Sequence, residues 1–403
     1  MDALLDDVLE QPPTPLQNGF WPEQIGSTVT TKLQELIILP TEQCNLRCTY
    51  CYEDFEIGKM SEATQRGLEH FIDRRIAGLS QLRLSWFGGE PLAARDVILR
   101  IARHAKARCD EVGVRLVGGL TTNAYLMTRQ LLEDLLDCNQ DFFQITLDGW
   151  KETHDAVRRF ADGRGSFDRI WANLLDMKTC ERPFEVLLRI HVRRDNIDRL
   201  PELMKNLGAA FGGDDRFRLD FEHLRNLGGA GGASIQDPVK LSEIPRIDAE
   251  MRAIYRANSP RNPDRALEPE PSPDAVNIDD VLRAAKAMGE SAGGQRLEEI
   301  SKGGNYICYA AKANSLLIRA NGRIGKCTVA LNDDRNDIGV LNEDGTVTID
   351  NDKLRPWLRG LSDLDTAALA CPLTTLPRTL APAPLEPARH PVRLISRSSN
   401  SQR

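Results

Sequence analysis

Leu36-Ile37-Ile38-Leu39-Pro40-Thr41-Glu42-Gln43-Cys44-Asn45-Leu46-Arg47-Cys48-Thr49-Tyr50-Cys51 is the stretch on which the fold turns. An apolar run stopped by a proline reads as a buried strand. The cysteines that follow, in a C-x3-C-x2-C arrangement, then fall on a loop at the strand's C-terminal end. Converging soft thiolates suit iron-sulfur or zinc. Structural zinc wants four Cys or His ligands, and the nearest histidine, His70, sits on a predicted helix downstream. Three ligands on a four-iron cubane leave one iron open to a substrate, which a closed four-cysteine electron carrier does not. The alternative is three unrelated core thiols. Their crowding beside Asn45, Arg47 and Glu53 argues against it.

Outward from this loop the sequence alternates. Leu68, Phe71, Ile72, Ile76 and Leu79 recur at helical spacing, and a strand follows at 82–87. Further strands are expected at 115–120, 142–147, 184–192 and 217–224, with helices at 95–110, 129–137, 167–178 and 198–207. Strands separated by helical crossovers make a parallel sheet. The fold class is therefore α/β: an open, six-stranded (β/α)6 partial TIM barrel, followed by a small cysteine-bearing module. In such a barrel the working residues sit at the strand C-termini. The expected divisions are an extended leader at 1–35, the barrel at 36–225, a Gly/Pro-rich linker with a helix near 242–257 at 226–304, the module at 305–371, and a disordered tail at 372–403. The tail holds six Pro, five Arg, one Glu and no aromatic residue.

Composition narrows the function. The 403 residues carry 52 Lys plus Arg against 59 Asp plus Glu, a net charge of -7. No basic stripe with interleaved aromatics marks a nucleic-acid site. No apolar run spans a bilayer, and the acidic first ten residues lack the pattern of a secretory signal. Nine cysteines without an export signal point to a reducing compartment, hence a cytoplasmic location.

The run Cys44-Asn45-Leu46-Arg47-Cys48-Thr49-Tyr50-Cys51 resembles the cluster motif of the radical S-adenosylmethionine superfamily. Trp86-Phe87-Gly88-Gly89-Glu90-Pro91, Thr121-Thr122-Asn123, and Thr146-Leu147-Asp148-Gly149 followed by His154, Asp155 and Arg158 are similar to further family motifs. The resemblance implies a 4Fe-4S cluster on Cys44, Cys48 and Cys51, with S-adenosylmethionine held by Tyr50, Gly88, Gly89, Glu90, Asn123, Thr146 and Arg158. In it Glu90 would accept from the methionyl amine, and Thr146 and Arg158 would touch the ribose or carboxylate, Arg158 being suited to a carboxylate because its planar fork donates two bonds at once. Ser166 reads as the N-cap of a helix. Asp148, part of the Thr146-Leu147-Asp148-Gly149 motif, has a turn cap as its alternative reading, and His191 reads as a core or barrel histidine. Asp220 and Glu222 share one face of the sixth strand, with His223 on the other; either carboxylate could take a proton, and a polar barrel lining is the equal alternative.

Cys308, Cys327 and a Cys-Pro at 371–372, with a hairpin near Gly322, resemble the SPASM or twitch auxiliary-cluster modules of peptide-modifying members. The likeness stops at Thr374, where the family places another cysteine, so at most three auxiliary ligands remain. Either one open auxiliary cluster is built here, or the sequence after Cys371 has left its native frame. The resemblance implies an enzyme that cleaves S-adenosylmethionine reductively and modifies a ribosomally made precursor peptide, served by an electron donor such as flavodoxin or ferredoxin. A sulfatase-maturing, formylglycine-forming enzyme is the rival within the class. A non-catalytic iron-sulfur or zinc peptide-binding protein is the rival outside it.

Overall fold

The computed structural model describes residues 19–20, 22–226, 229–260 and 306–377. Strand β1 (Leu33–Ile38) forms where expected, with Leu36, Ile37 and Ile38 almost fully buried. Five more strands follow, each separated by at least one helix: β2 (Gln81–Trp86), β3 (Arg115–Thr122), β4 (Gln140–Leu147), β5 (Glu185–Val192) and β6 (Phe217–His223). All neighbouring pairs from β1 to β6 run parallel. This is the open α/β sheet expected of a partial barrel.

The helices form for local reasons and bury one stripe each. Helix α2 (Glu62–Arg75) starts at Ser61, whose side chain accepts from the Thr64 amide. Helix α3 (Arg95–Val112) buries Val97, Ile98, Ile101, Ala102, Ala105 and Cys109, one face at 3.6-residue spacing, and ends at Gly113 with φ +72°. Helix α4 (Arg129–Leu136) is capped by Thr128. Helices α5 (Lys151–Val157), α6 (Phe167–Lys178) and α7 (Leu200–Phe211) complete the crossovers, and α8 (Ile244–Asn258) lies on α7. That packing needs Gly208, because a Cβ there would stand 2.4 Å from the Tyr255 carbonyl oxygen. Strand β2 alternates: Leu82, Leu84 and Trp86 are buried toward the helices, while Gln81, Arg83 and Ser85 turn the other way.

The C-terminal segment departs from the expected separate module. Strand β7 (Ser315–Ile318) pairs in parallel with the free edge of β1, Glu35 opposite Ser315 and Ile38 opposite Ile318. Then β8 (Arg323–Gly325), β9 (Gly339–Leu341) and β10 (Val347–Ile349) add on antiparallel, making one ten-stranded sheet in the order β10-β9-β8-β7-β1-β2-β3-β4-β5-β6. The hairpin near Gly322 is present, with φ +83° at that glycine. The apolar edge of β1 is what the segment covers, which removes an aggregation-prone open edge.

Two further expectations change. The leader was expected to be extended to residue 35, yet a helix α1 (Pro22–Val29) forms, β1 begins at Leu33, and Phe20 is fully buried against Ile307, Ala311 and Leu369. Burying one aromatic is enough to fix this end, at roughly 1.5–3 kcal/mol. In the expected tail, Pro372–Thr375 is a helical turn; residues 378–403 and most of the linker, 261–304, lie outside the described residues. Among the described residues no helix is long and apolar enough to cross a membrane.

Candidate functional site

The C-terminal ends of β1 to β6 surround one pocket, and the cysteine loop forms one of its walls. Cys44, Cys48, Tyr50 and Cys51 line it together with Gly88, Gly89, Asn123, Thr146 and Arg158. Six of the seven residues expected to hold the cosubstrate are thus gathered in one place. The loop is fixed by backbone bonds: the Arg47 amide donates to the Arg159 carbonyl at 2.7 Å and the Thr49 amide to Val157 at 3.0 Å. Arg47 donates from its guanidinium to the Cys44 carbonyl at 2.6 Å and stacks over Phe55. The paired glycines after β2 allow the close approach. A Cβ on Gly88, at φ +111°, would stand 2.2 Å from the Thr41 carbonyl oxygen, and one on Gly89 would stand 2.6 Å from that of Gln43.

Glu90 is the seventh residue, and it is not in the pocket wall. It is fully buried, and its carboxylate accepts from the Thr122 hydroxyl at 2.6 Å, the Asn123 amide at 2.7 Å and the Leu92 amide at 3.0 Å. Those bonds tie the end of β2 to the end of β3 and set Glu90 behind the pocket wall. Asn123, which it positions, donates from Nδ2 to Asn45 Oδ1 at 2.8 Å and lies 3.9 Å from Cys44 Sγ.

On the facing wall, strand register sets a polar row. Thr146 stands opposite Arg189 and Arg189 opposite Asp220, while His191 stands opposite Glu222. Asp220 is not a free proton acceptor, since it takes a buried ion pair from Arg189 at 3.0 Å. That corrects one of the two carboxylate expectations. Glu222 lines the pocket, and burial pushes its carboxyl up to about 7, against the opposing pull of Arg189. His223 faces away and pairs with Asp248 at 2.8 Å.

Tyr50 crosses the pocket from the cysteine loop to this row. Its hydroxyl donates to Asp148 at 2.6 Å, accepts from Arg158 at 2.8 Å, and lies 3.0 Å from His191 Nδ1. Asp148 also accepts from Arg193 at 2.7 Å, so it is the hub of a buried network and not a turn cap. Burial and the charges of Arg158, Arg189 and Arg193 hold His191 well below its usual range, as a neutral ring. With the phenol proton given to Asp148, His191 donates from Nδ1 to Tyr50 and keeps Nε2 as an acceptor. His191 was set aside in the sequence because a lone strand histidine is commonly core; the period-2 pattern Arg189, His191 beside Glu222 is the signal that finds it. Arg189, Gln144, Glu53 and Arg225 also line the pocket and were missed as site residues. Ser166 precedes α6 but does not cap it: Asp155 accepts from the Ser166 and Phe167 amides instead, and the Ser166 hydroxyl donates to the Arg158 carbonyl at 2.6 Å.

The glycine-rich stretch read as linker reaches the site as well. The Gly231 amide donates to the Cys51 carbonyl at 3.1 Å, and a Cβ there would stand 2.3 Å from that oxygen.

The second cysteine set is also drawn together. Cys308 donates from its amide to Leu369, Cys327 is buried, and Cys371 stands near enough to act on the Cys327 thiol electrostatically. Tyr309 spans them, its hydroxyl 2.8 Å from Thr328. Thr374, at the position where a further cysteine was expected, donates its hydroxyl to the Cys371 carbonyl.

Residues 38–207 match the model of the Radical SAM superfamily. The chain is 28% identical over 207 residues to the Fe-coproporphyrin III synthase of Methanosarcina barkeri, covering 50% of this chain and 47% of the relative. It is 25% identical over 285 residues to the PqqA peptide cyclase of Bradyrhizobium diazoefficiens, 68% of this chain and 66% of the relative. The chain thus spans between about half and two thirds of the length of these relatives. The solved structure of native anSMEcpe with bound AdoMet and Cp18Cys peptide shares the fold, with a TM-score of 0.54, 17% identity and 80% of each chain covered.

A radical SAM domain implies a 4Fe-4S cluster and S-adenosylmethionine, and the residues fit both. Among the described residues no three His, Cys, Asp or Glu side chains are set around a point that would hold a single ion. A cluster offers each thiolate its own iron, so its ligands surround a volume. Six buried side-chain polar atoms lack a protein partner among the described residues, and four of them, Asn45 Nδ2, Glu53 Oε2, Gln144 Oε1 and Arg158 Nε, line or border this pocket. Such atoms are costly unless a ligand meets them.

Proposed function

Taking the radical SAM domain at residues 38–207 as premise, we propose that this protein is a radical S-adenosylmethionine enzyme that modifies a ribosomally made peptide. One observation carries the reading: three thiols on one wall of a pocket face a polar row with a proton-accepting group on the other. Cys44, Cys48 and Cys51 would hold the cluster, which would supply the reducing electron for cleavage of S-adenosylmethionine and so the means to take hydrogen from carbon. The backbone at Gly88 and Gly89 binds the cosubstrate's amino end, Arg158 its carboxylate through the unpartnered Nε, and Asn123 and Thr146 its remaining polar edge. Tyr50 holds Arg158 in place. Glu222, poised near neutrality, is the pocket group able to hold a proton beside the reacting carbon of the peptide. The wall of β4, β5 and β6 keeps bulk water away from the reacting carbon.

The peptide substrate is supported by the similarity to PqqA peptide cyclase across 68% of the chain. Cys308, Cys327 and Cys371 would hold a second iron-sulfur centre, and an external one-electron carrier would supply electrons to the first. Anaerobically reconstituted protein given a reductant and S-adenosylmethionine should release 5'-deoxyadenosine. If Cys48→Ala releases as much as the parent, the reading fails.

A further inference from the structure

Beside the pocket, on the outer surface, lies a groove of about 820 Å³ between the start of α3 and α4. Its charged lining is Arg95, Arg100, Arg103 and Arg169 against Asp96 and Asp134, a net excess of two positive charges in a chain whose net charge is -7. The carboxylates are engaged: Asp96 pairs with Lys59, and Asp134 lies 3.8 Å from Arg103. Arg100 is bidentate on Glu69 at 2.8 and 2.9 Å. Arg95 and Arg169 are exposed and pair with no carboxylate among the described residues. The groove floor is apolar, with Leu99, Tyr125, Leu126 and Leu131. Tyr125 is held edge-on by Phe160, 4.8 Å between ring centres, and the Arg164 guanidinium stacks on Phe160.

The wall between this groove and the cysteine pocket is a single loop. Tyr125 lines the groove, its amide donates to Asn123 Oδ1 at 3.0 Å, and Asn123 lines the pocket, with Nδ2 3.9 Å from Cys44 Sγ. An apolar floor edged by two guanidinium groups without a carboxylate partner among the described residues, Arg95 and Arg169, is the pattern of a protein contact: charge steers the encounter and the apolar centre seats it. We infer that this groove docks an acidic one-electron carrier protein, flavodoxin in chemistry, so that its redox centre is brought against the loop carrying Cys44. The inference rests on the radical-enzyme reading, because only a redox centre behind that loop gives such a partner a purpose. Free carriers approach a net-negative protein badly, and a local basic patch one loop from the cysteines reverses the field where it matters.

The test follows reduction of the reconstituted cluster by loss of its visible absorbance, with reduced flavodoxin and, separately, with dithionite. The double charge reversal Arg95→Glu, Arg169→Glu should slow reduction by flavodoxin about tenfold or more at low ionic strength. The gap should close near 1 M salt, where screening acts within about 3 Å. Dithionite should reduce parent and variant at the same rate, and the Arg95→Lys, Arg169→Lys pair should behave as the parent. Reduction of the charge-reversed variant by flavodoxin at the parental rate would overturn the inference, as would an equal slowing with dithionite. An acidic peptide that fills the groove without slowing flavodoxin would also overturn it and make the groove a peptide site. Normal reduction without release of 5'-deoxyadenosine would sink the radical-enzyme reading and leave this surface standing.

Discussion

The two cysteine sets are built differently, and the difference separates their work. Cys44, Cys48 and Cys51 are half-buried on a loop that opens into a pocket, with orphaned polar atoms around it. Cys308 and Cys327 are packed into the main apolar core beside Tyr309, Ala310 and Ile324, and of that set only Cys371 is half-exposed. One set has room for a second molecule beside its thiols. The other is closed in by protein. An open reaction centre and an enclosed accessory centre are what these surroundings favour, and they meet at a seam. Glu42, two residues before Cys44, takes a buried bidentate pair from Arg319 at 3.0 and 2.6 Å, just beyond β7.

The strongest way to break the contrast is to remove one ligand from each set. Cys48→Ala should lose about four irons and reduce 5'-deoxyadenosine release to background, whereas Cys308→Ala with Cys327→Ala should lose only iron beyond the first four and still release it; iron analysis and product chromatography read both. A double variant that lost all of its iron would show one shared site. Next in size is Glu222→Gln. General-base loss is worth about 10²–10⁴ in peptide turnover, and the group is inactive when protonated. Turnover in the parent should therefore rise with pH through about 7, and this acid limb should vanish in the variant while S-adenosylmethionine cleavage persists.

The same group leaves a mark on stability. Its folded carboxyl lies above its usual value, so the folded state binds the extra proton. The metal-free protein should thus be most favoured below the ordinary glutamate range and lose up to a few kcal/mol as pH rises through about 7. Glu222→Gln should flatten that slope in denaturant titrations. Glu42→Ala leaves Arg319 buried and unpaired, at a cost of about 3–5 kcal/mol. Joint loss of both iron sets on warming would confirm that the seam couples them, and unchanged melting would dismiss it. The smallest effect is expected from Gly231→Ala, about 1–3 kcal/mol, with the Cys51 carbonyl displaced.

Much of this was legible in the sequence wherever the signal is local. The run at 36–39 and the helical spacing in α3, α4 and α6 place elements within a few residues, because burial periodicity is written in consecutive positions. The cysteine loop and the Gly88-Gly89 turn are legible for the same reason. What escaped was set by distant partners. The pairing of β7 with β1 joins residues some 280 positions apart, and nothing near Leu36 announces it. Glu90 carries a ligand-like motif, yet its bonds to the Thr122 hydroxyl and the Asn123 amide join two strand ends that are far apart in sequence. His191 looks like a core residue until register sets it opposite Glu222 and Tyr50 arrives from the cysteine loop. Gly231 sits in a stretch whose composition reads as linker, while its contact with Cys51 is a matter of tertiary approach.

The central claim is that the iron left open by Cys44, Cys48 and Cys51 meets S-adenosylmethionine inside the pocket. Electron paramagnetic resonance of the one-electron-reduced Cys308→Ala, Cys327→Ala variant, recorded before and after adding S-adenosylmethionine, tests it most directly. A changed signal on addition, absent once Cys48 is also replaced by Ala, is the predicted result. Identical spectra with and without S-adenosylmethionine would contradict it.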